Sequence, residues 1–214
     1  VICEKNAHTR LPMASTTKIM TALVALELAT PDTVIVVDER AVGTEGSSIY
    51  LCAGEKLTLE ELLYALMLES ANDAAVAIAI GVSGSEEAFV DEMNRQVSSF
   101  GLSDTHFANP HGLDAEAHYT TAYELAKIAR VALQNPLLKT IVSTRKTTIP
   151  HQETDNVRLL VNHNKMLRQY DGCIGVKTGY TQKSGRCLVS AAERDGVMMI
   201  AVTIDSPDDW NDHT

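Results

Sequence analysis

Hydrophobic period changes along this chain, and the change limits the folds open to it. From Ala14 to about Leu133 the apolar residues recur at helical spacing, whereas the final third carries short β-rich runs at Cys173 to Lys177, Gly185 to Ala192 and Val197 to Ile204. The last two runs are joined by Arg194-Asp195-Gly196, which reads as a turn. Helices in the middle and an antiparallel sheet at the end predict an α+β fold. There is no internal repeat and no low-complexity segment.

The spacing predicts a helix over Ala14 to Leu28, with Ile19, Leu23 and Leu26 on one stripe and Ser15 and Lys18 in its first turn. A second helix opens with a capping box, Thr58 to Glu61, and a hydrophobic staple of Leu57 and Leu62. Its pattern runs through Leu59, Leu63, Leu66 and Met67 to the polar cluster Glu69-Ser70-Ala71-Asn72-Asp73, then turns apolar again to Ile80. Ser, Asn and Asp favour caps and turns, so two helices are expected with Ser70 and Asn72 at their junction. Ser85 is placed to cap a helix to Phe100, with Phe89, Met93, Val97 and Phe100 on one face and Gly101 as the stop. Thr121 and Glu124 form another capping box, for a helix reaching about Leu133 before Pro136.

With 214 residues, 45% of them hydrophobic, the chain is long enough to bury a core as one large domain, or one domain with an inserted subdomain. Lys and Arg number 18 against 28 Asp and Glu, a formal charge of −10, which argues against nucleic acid as the main partner but leaves room for a local basic site. The longest stretch free of these charged residues, Ala74 to Ser85, falls well short of the roughly 20 needed to cross a bilayer. The chain begins at Val1 without a basic-then-apolar leader, and is expected to be processed or trimmed. Cys3, Cys52, Cys173 and Cys187 show neither CxxC spacing nor a dense disulfide pattern, so free thiols and a bridge both stay open.

Three short motifs carry chemistry. Ser15-Thr16-Thr17-Lys18 puts a hydroxyl and an amine one helical turn apart, and a lysine serves a serine as base once burial or a nearby cation keeps it neutral. Alone this pattern is weak, since Ser143-Thr144-Arg145-Lys146 repeats it in a polar stretch that looks like a solvated loop or edge strand. Ser70-Ala71-Asn72 presents two short polar side chains between apolar helices, where a simple cap would also account for them. Lys177-Thr178-Gly179 leaves the end of the apolar run Ile174-Gly175-Val176. There a lysine holds a carboxylate, a hydroxyl bonds it, and a glycine permits close backbone approach. The near copy Lys183-Ser184-Gly185 falls in the expected turn and needs no functional explanation.

In this order and on these local structures, SxxK, SxN and KTG together are far more specific than any one of them. The stretches Leu11-Pro-Met-Ala-Ser-Thr-Thr-Lys-Ile-Met-Thr-Ala22, Leu68-Glu-Ser-Ala-Asn-Asp-Ala-Ala75, Phe107-Ala-Asn-Pro-His-Gly-Leu113 and Gly175-Val-Lys-Thr-Gly-Tyr-Thr181 resemble the D-alanyl-D-alanine carboxypeptidases among the low-molecular-mass penicillin-binding proteins. The match covers nearly the whole chain. It implies the penicillin-recognising serine-transferase fold, a five-stranded antiparallel sheet flanked by helices, with a helical region inserted at roughly 40–140. Residues 1–214 would then be a single catalytic domain. More of the first strand would precede Val1, and a β-rich domain and an amphipathic membrane anchor would lie beyond Thr214, so membrane association would come only through parts absent from this chain.

The resemblance also implies roles. Ser15 would be the nucleophile, Lys18 its base, and Ser70 the proton relay to the departing D-alanine amine. Asn72 would bond the substrate amide, Lys177 and Thr178 the terminal carboxylate, with Gly179 beside them. The backbone N–H groups of Ser15 and Tyr180 would form the oxyanion hole. The expected substrate is a peptidoglycan stem peptide ending in D-Ala-D-Ala, outside the cytoplasmic membrane, with β-lactams as covalent inhibitors. A class A β-lactamase shares SxxK and KTG, but no Glu-x-x-Leu-Asn stretch is present and Ser-Ala-Asn stands where that class has Ser-Asp-Asn. A non-catalytic penicillin-sensing or peptidoglycan-binding module would not need both a nucleophile and its base.

No cofactor is implied. His106, His111 and His118 are close in sequence but fit neither HExxH nor a zinc-finger spacing, and no metal is assigned; His111 is expected to serve a turn. No GxSxG elbow is present. A hairpin centred near Gln182 would set Lys177 opposite Cys187 and Cys173 opposite Ala191, a register that disfavours a Cys173 to Cys187 bridge.

Overall fold

The structure, a computed structural model, describes residues 1–151 and 156–214. A 3-10 turn, Ala14–Thr17, runs into α1 (Lys18–Leu28). Strand β1 (Val34–Val36) pairs antiparallel with β2 (Lys56–Thr58). Helix α2 (Leu59–Tyr64) continues into a π-helical turn, Ala65–Glu69, before α3 (Asn72–Ser83) and α4 (Glu86–Ser99). A long loop leads to α5 (Ala122–Ala132) and α6 (Pro136–Ser143). Then come the hairpin of β3 (Lys146–Pro150) and β4 (Val157–Val161), the short α7 (Met166–Gln169), and β5 (Cys173–Thr181), β6 (Gly185–Arg194) and β7 (Val197–Thr203), with α8 (Asp209–Asp212) last.

Local chemistry explains most boundaries. Thr58 and Glu61 form the reciprocal capping box at α2, and the Ser85 hydroxyl accepts from Ala88 N–H at the start of α4. Thr121 caps α5, but the Glu124 carboxylate does not return to it. That carboxylate instead accepts from the Ser103 and Asp104 N–H groups and the Thr105 hydroxyl, tying the loop before α5 to the helix. The π-helical turn ends at Ser70, whose backbone is left-handed, and α3 then begins without a side-chain cap. Ser70 closes the π-helical turn through its backbone N–H, and neither the Ser70 nor the Asn72 side chain is spent on capping.

Helix α1 is buried from Lys18 through Ala25 and packs against α3, α4 and α5. One apolar core continues from Met13 and α1 through α3 to Val176, Val189 and Ala191 of the sheet. Each such large apolar side chain contributes about 1.5–3 kcal/mol on burial.

The sheet departs from the expected five strands. Among the described residues it has three, in the order β5-β6-β7 and antiparallel throughout, while β1–β2 and β3–β4 form separate pairs. The N-terminal residues lie elsewhere: Leu11 N–H bonds Thr120 O at 2.8 Å and Tyr123 N–H bonds Ala7 O at 3.0 Å, which holds this segment against the start of α5. The hairpin register also differs. Lys177 pairs with Val189, and Cys187 with Gly179, because Thr181 and Ser184 bond each other across a turn centred on Lys183. A shift of two residues keeps each side chain on its expected face. Cys173 lies opposite Ala192 beside a bulge, and no disulfide joins any two of the four cysteines.

Candidate active site

Ser15 stands in the 3-10 turn that leads into α1, one turn before Lys18. Lys18 is fully buried, and its Nζ lies 2.9 Å from Ser15 Oγ, 2.7 Å from Asn72 Oδ1 and 2.5 Å from the His111 carbonyl oxygen. Burial holds its ammonium form well below the ordinary lysine range, the charge of Lys177 adds to this, and Asp73 opposes it. A neutral amine has two N–H groups and one lone pair. Asn72 Oδ1 and the His111 carbonyl can only accept, so they take the two N–H groups, and the lone pair is left for the Ser15 hydroxyl. This is the arrangement a serine needs in order to lose its proton.

A second serine–lysine pair faces the first. Lys177, 1% exposed on β5, donates to Ser70 Oγ at 3.0 Å and to Thr178 O at 2.9 Å. Burial pushes its ammonium down to about 7. The left-handed backbone at Ser70 is what turns its hydroxyl away from the helix axis and toward β5. Asn72 is bound at both ends, since its Nδ2 donates to Glu45 O at 2.6 Å and its backbone N–H to Ser47 O at 2.7 Å.

Two glycines enclose the Ser15 turn. A Cβ on Gly112 would lie 2.0 Å from Ala14 O and 2.9 Å from Ser15 N, and one on Gly179 would lie 3.0 Å from Ser15 N. The side of Gly179 where a Cβ would stand is therefore filled by the serine turn. The opposite wall is the segment from Glu45 to Leu51. It is held by Asp73, whose buried carboxylate accepts from the Ser48 hydroxyl and the Ile49 and Leu51 N–H groups. Arg158 braces the same segment through Glu55 and the Ile49 carbonyl. Between these walls is a cleft of about 130 Å³ lined by Ser15, Ser47, Asn72, His111, Tyr180 and Thr181, among others. Tyr180 is exposed at its mouth, and Thr178 is half-buried on the strand.

The other Ser-x-x-Lys is not part of this site. Ser143 ends α6 and Lys146 begins β3, both exposed. The histidine-rich loop contributes more than a turn. The His111 carbonyl binds Lys18, while its imidazole is held down to about 4 by burial and the Lys18 charge. His118, pushed down to about 3 mainly by burial, accepts from Ala108 N–H at Nδ1 and so carries its proton on Nε2, which donates to Thr17 Oγ1. Sequence reasoning gave His111 a turn and His118 no role, because one meets Lys18 through its backbone and the other acts through a contact 101 positions away.

The chain matches the peptidase S11 family, described as D-alanyl-D-alanine carboxypeptidase, over residues 1–208. It is 39% identical over 207 residues to the D-alanyl-D-alanine carboxypeptidase DacF of Bacillus subtilis, an alignment covering 94% of this chain and 53% of the relative. The chain thus spans about half the length of that protein. To the D-alanyl-D-alanine carboxypeptidase of Streptomyces sp. strain K15 it is 37% identical over 218 residues, covering 94% of this chain and 75% of the relative. The crystal structure of the Streptomyces K15 DD-transpeptidase superposes with a TM-score of 0.89 at 34% identity, covering 96% of this chain and 84% of that one. Sequence, fold and the order of the three motifs agree: the chain belongs to the S11 family of D-alanyl-D-alanine carboxypeptidases.

Proposed function

We propose that residues 1–214 form a single catalytic domain that removes the terminal D-alanine from peptidoglycan stem peptides through an acyl-enzyme on Ser15, and that β-lactams acylate the same serine. The observation that carries this reading is the Lys18 amine, buried, 2.9 Å from Ser15 Oγ, with both of its other partners restricted to accepting. Lys18 takes the hydroxyl proton as Oγ attacks the carbonyl of the penultimate D-alanine. The backbone N–H groups of Ser15 and Tyr180 hold the developing oxyanion, with the N-terminal end of the helix favouring its charge. Lys177 and Thr178 hold the terminal carboxylate, Asn72 bonds the substrate amide, and Ser70 passes the proton to the departing amine. Water then hydrolyses the ester.

Such a substrate places the enzyme outside the cytoplasmic membrane. Among the described residues no helix is long and apolar enough to cross a membrane. The β-lactamase alternative is not favoured, because the family and its named relatives are carboxypeptidases. The name DD-transpeptidase for a structural neighbour suggests assaying with and without an amine acceptor.

The test is intact-protein mass after incubation with benzylpenicillin. A single persistent adduct mapped to the Ser15 peptide, together with D-alanine release from a pentapeptide, is expected. An adduct that clears rapidly would point to a β-lactamase, and no adduct on folded protein would end the acyl-transfer reading.

The two lysines also set a pH profile. Lys18 acts neutral and Lys177 acts charged, so peptide turnover should rise as Lys18 loses its proton and fall above about pH 7 as Lys177 loses its own. Measured kcat/KM should be bell-shaped. A rate that stays level from about pH 7 to about pH 10 would remove the Lys177 ammonium from carboxylate binding.

A further inference from the structure

Residues 109–113 supply no side chain to the proposed chemistry, yet they meet the catalytic turn and α1 at successive backbone positions. Pro110 O accepts from the Thr21 hydroxyl at 2.6 Å, His111 O accepts from Lys18 Nζ at 2.5 Å, and Gly112 lies against the Ala14–Ser15 peptide. Two side chains shape this loop from within: His111 Nδ1 accepts from Leu113 N–H at 3.2 Å, and Asn109 makes two bonds. Asn109 Oδ1 accepts from Gly112 N–H at 2.7 Å and its Nδ2 donates to Leu113 O at 2.9 Å, so the amide stands in for the backbone partners a tight turn would otherwise need.

We infer that Asn109 is a positioning residue for the Lys18 base: by folding residues 110–113 around its own amide, it sets the His111 carbonyl where it takes one Lys18 N–H and leaves the lone pair facing Ser15. The inference rests on the acyl-transfer reading above. It assigns a task to a loop whose resemblance to the family was plain but whose chemistry was not.

The charged and titratable groups facing Lys18 are Lys177 from β5, Asp73 from α3, and His111 and His118 from the loop. An Asn109 substitution alters none of these side chains. A changed Lys18 titration would therefore report a change in its hydration and hydrogen bonding. Loosening the loop admits water to an amine whose protonation burial disfavours, so its pKa rises and less of it is neutral at a given pH.

The experiment measures benzylpenicillin acylation rate against pH for the wild type, Asn109→Ala, Asn109→Ser and Ser85→Ala, with Lys18 titration followed by NMR on 13Cε-labelled, unreacted protein. Asn109→Ala is expected to acylate about 10- to 100-fold more slowly at neutral pH, with the rising limb and the Lys18 titration both moved to higher pH. Asn109→Ser keeps a hydroxyl acceptor for Gly112 N–H and should move less in the same direction; it also answers the question if the alanine variant does not fold. Ser85→Ala removes only the α4 cap, and should lower the melting temperature while leaving rate and profile unchanged.

A folded Asn109 variant with wild-type rate and wild-type Lys18 titration overturns the inference. So does a slower rate with an unmoved Lys18 titration, since the loop would then act by sterics alone. A wild type that is not acylated defeats the acyl-transfer reading instead, and the Lys18 titration still decides the role of Asn109.

Discussion

Lys18→Met is expected to slow acylation of Ser15 by benzylpenicillin about 1,000-fold, within the range that general-base catalysis supplies. Methionine keeps an unbranched side chain in the buried slot but has no lone pair basic enough to take the hydroxyl proton. The fold should survive the change because the stability terms oppose each other. Asn72 Oδ1 and the His111 carbonyl each lose a donor, which costs about 1–3 kcal/mol apiece. Against this, an amine whose protonation burial strongly disfavours is removed from the interior. Lys146→Met, in the exposed Ser-x-x-Lys copy, should acylate at the wild-type rate. Stopped-flow or mass-resolved acylation, with circular dichroism to establish folding, checks both. A Lys18→Met protein acylating within about tenfold of wild type would move the base role to the Lys177–Ser70 pair.

The parts legible in the sequence were those decided locally or by motif order. A cap is a contact between residues three apart, so Thr58, Ser85 and Thr121 could be placed from spacing alone. Glu124 shows the limit: its spacing from Thr121 fits a reciprocal box, but N–H groups about 20 positions upstream compete for the carboxylate and win. The hairpin centre was misplaced by one residue because two side chains, Thr181 and Ser184, close the turn and lengthen β5. A five-stranded sheet followed from the resemblance, whereas the pairing of residues 7–11 with 120–123 depends on contacts that no local pattern encodes. In the candidate site the motif side chains were nameable, Ser15, Lys18, Ser70, Asn72, Lys177 and Thr178, because side-chain chemistry is written in residue type. The His111 carbonyl was not, since every residue has one. Nor could spacing show that the vacant side of Gly179 is filled by the Ser15 turn.

Gly112→Ala tests that enclosure most severely, and is expected to lower stability by about 3–5 kcal/mol and to abolish measurable acylation. Two effects add. The residue sits at φ +95, which strains any side chain by about 1 kcal/mol or more, and the new methyl would fall 2.0 Å from Ala14 O and 2.4 Å from Ala14 C. Those neighbours are backbone and cannot swing aside, so relief requires moving the peptide that carries Ser15 or the loop that carries His111. Gly54→Ala separates the terms: at φ +80 with nothing within 4 Å of the added methyl, it should cost only the conformational part and leave acylation intact. Gly179→Ala is the intermediate case, with ordinary backbone and contacts of 3.0–3.2 Å to the same turn. The expected order of damage is Gly112, then Gly179, then Gly54, in both melting temperature and acylation rate. For a chain of this size the first should melt roughly 10 °C or more below wild type. If Gly112→Ala instead melts and acylates like Gly54→Ala, the serine turn is not held between the loop and β5, and its geometry must be set by α1 alone.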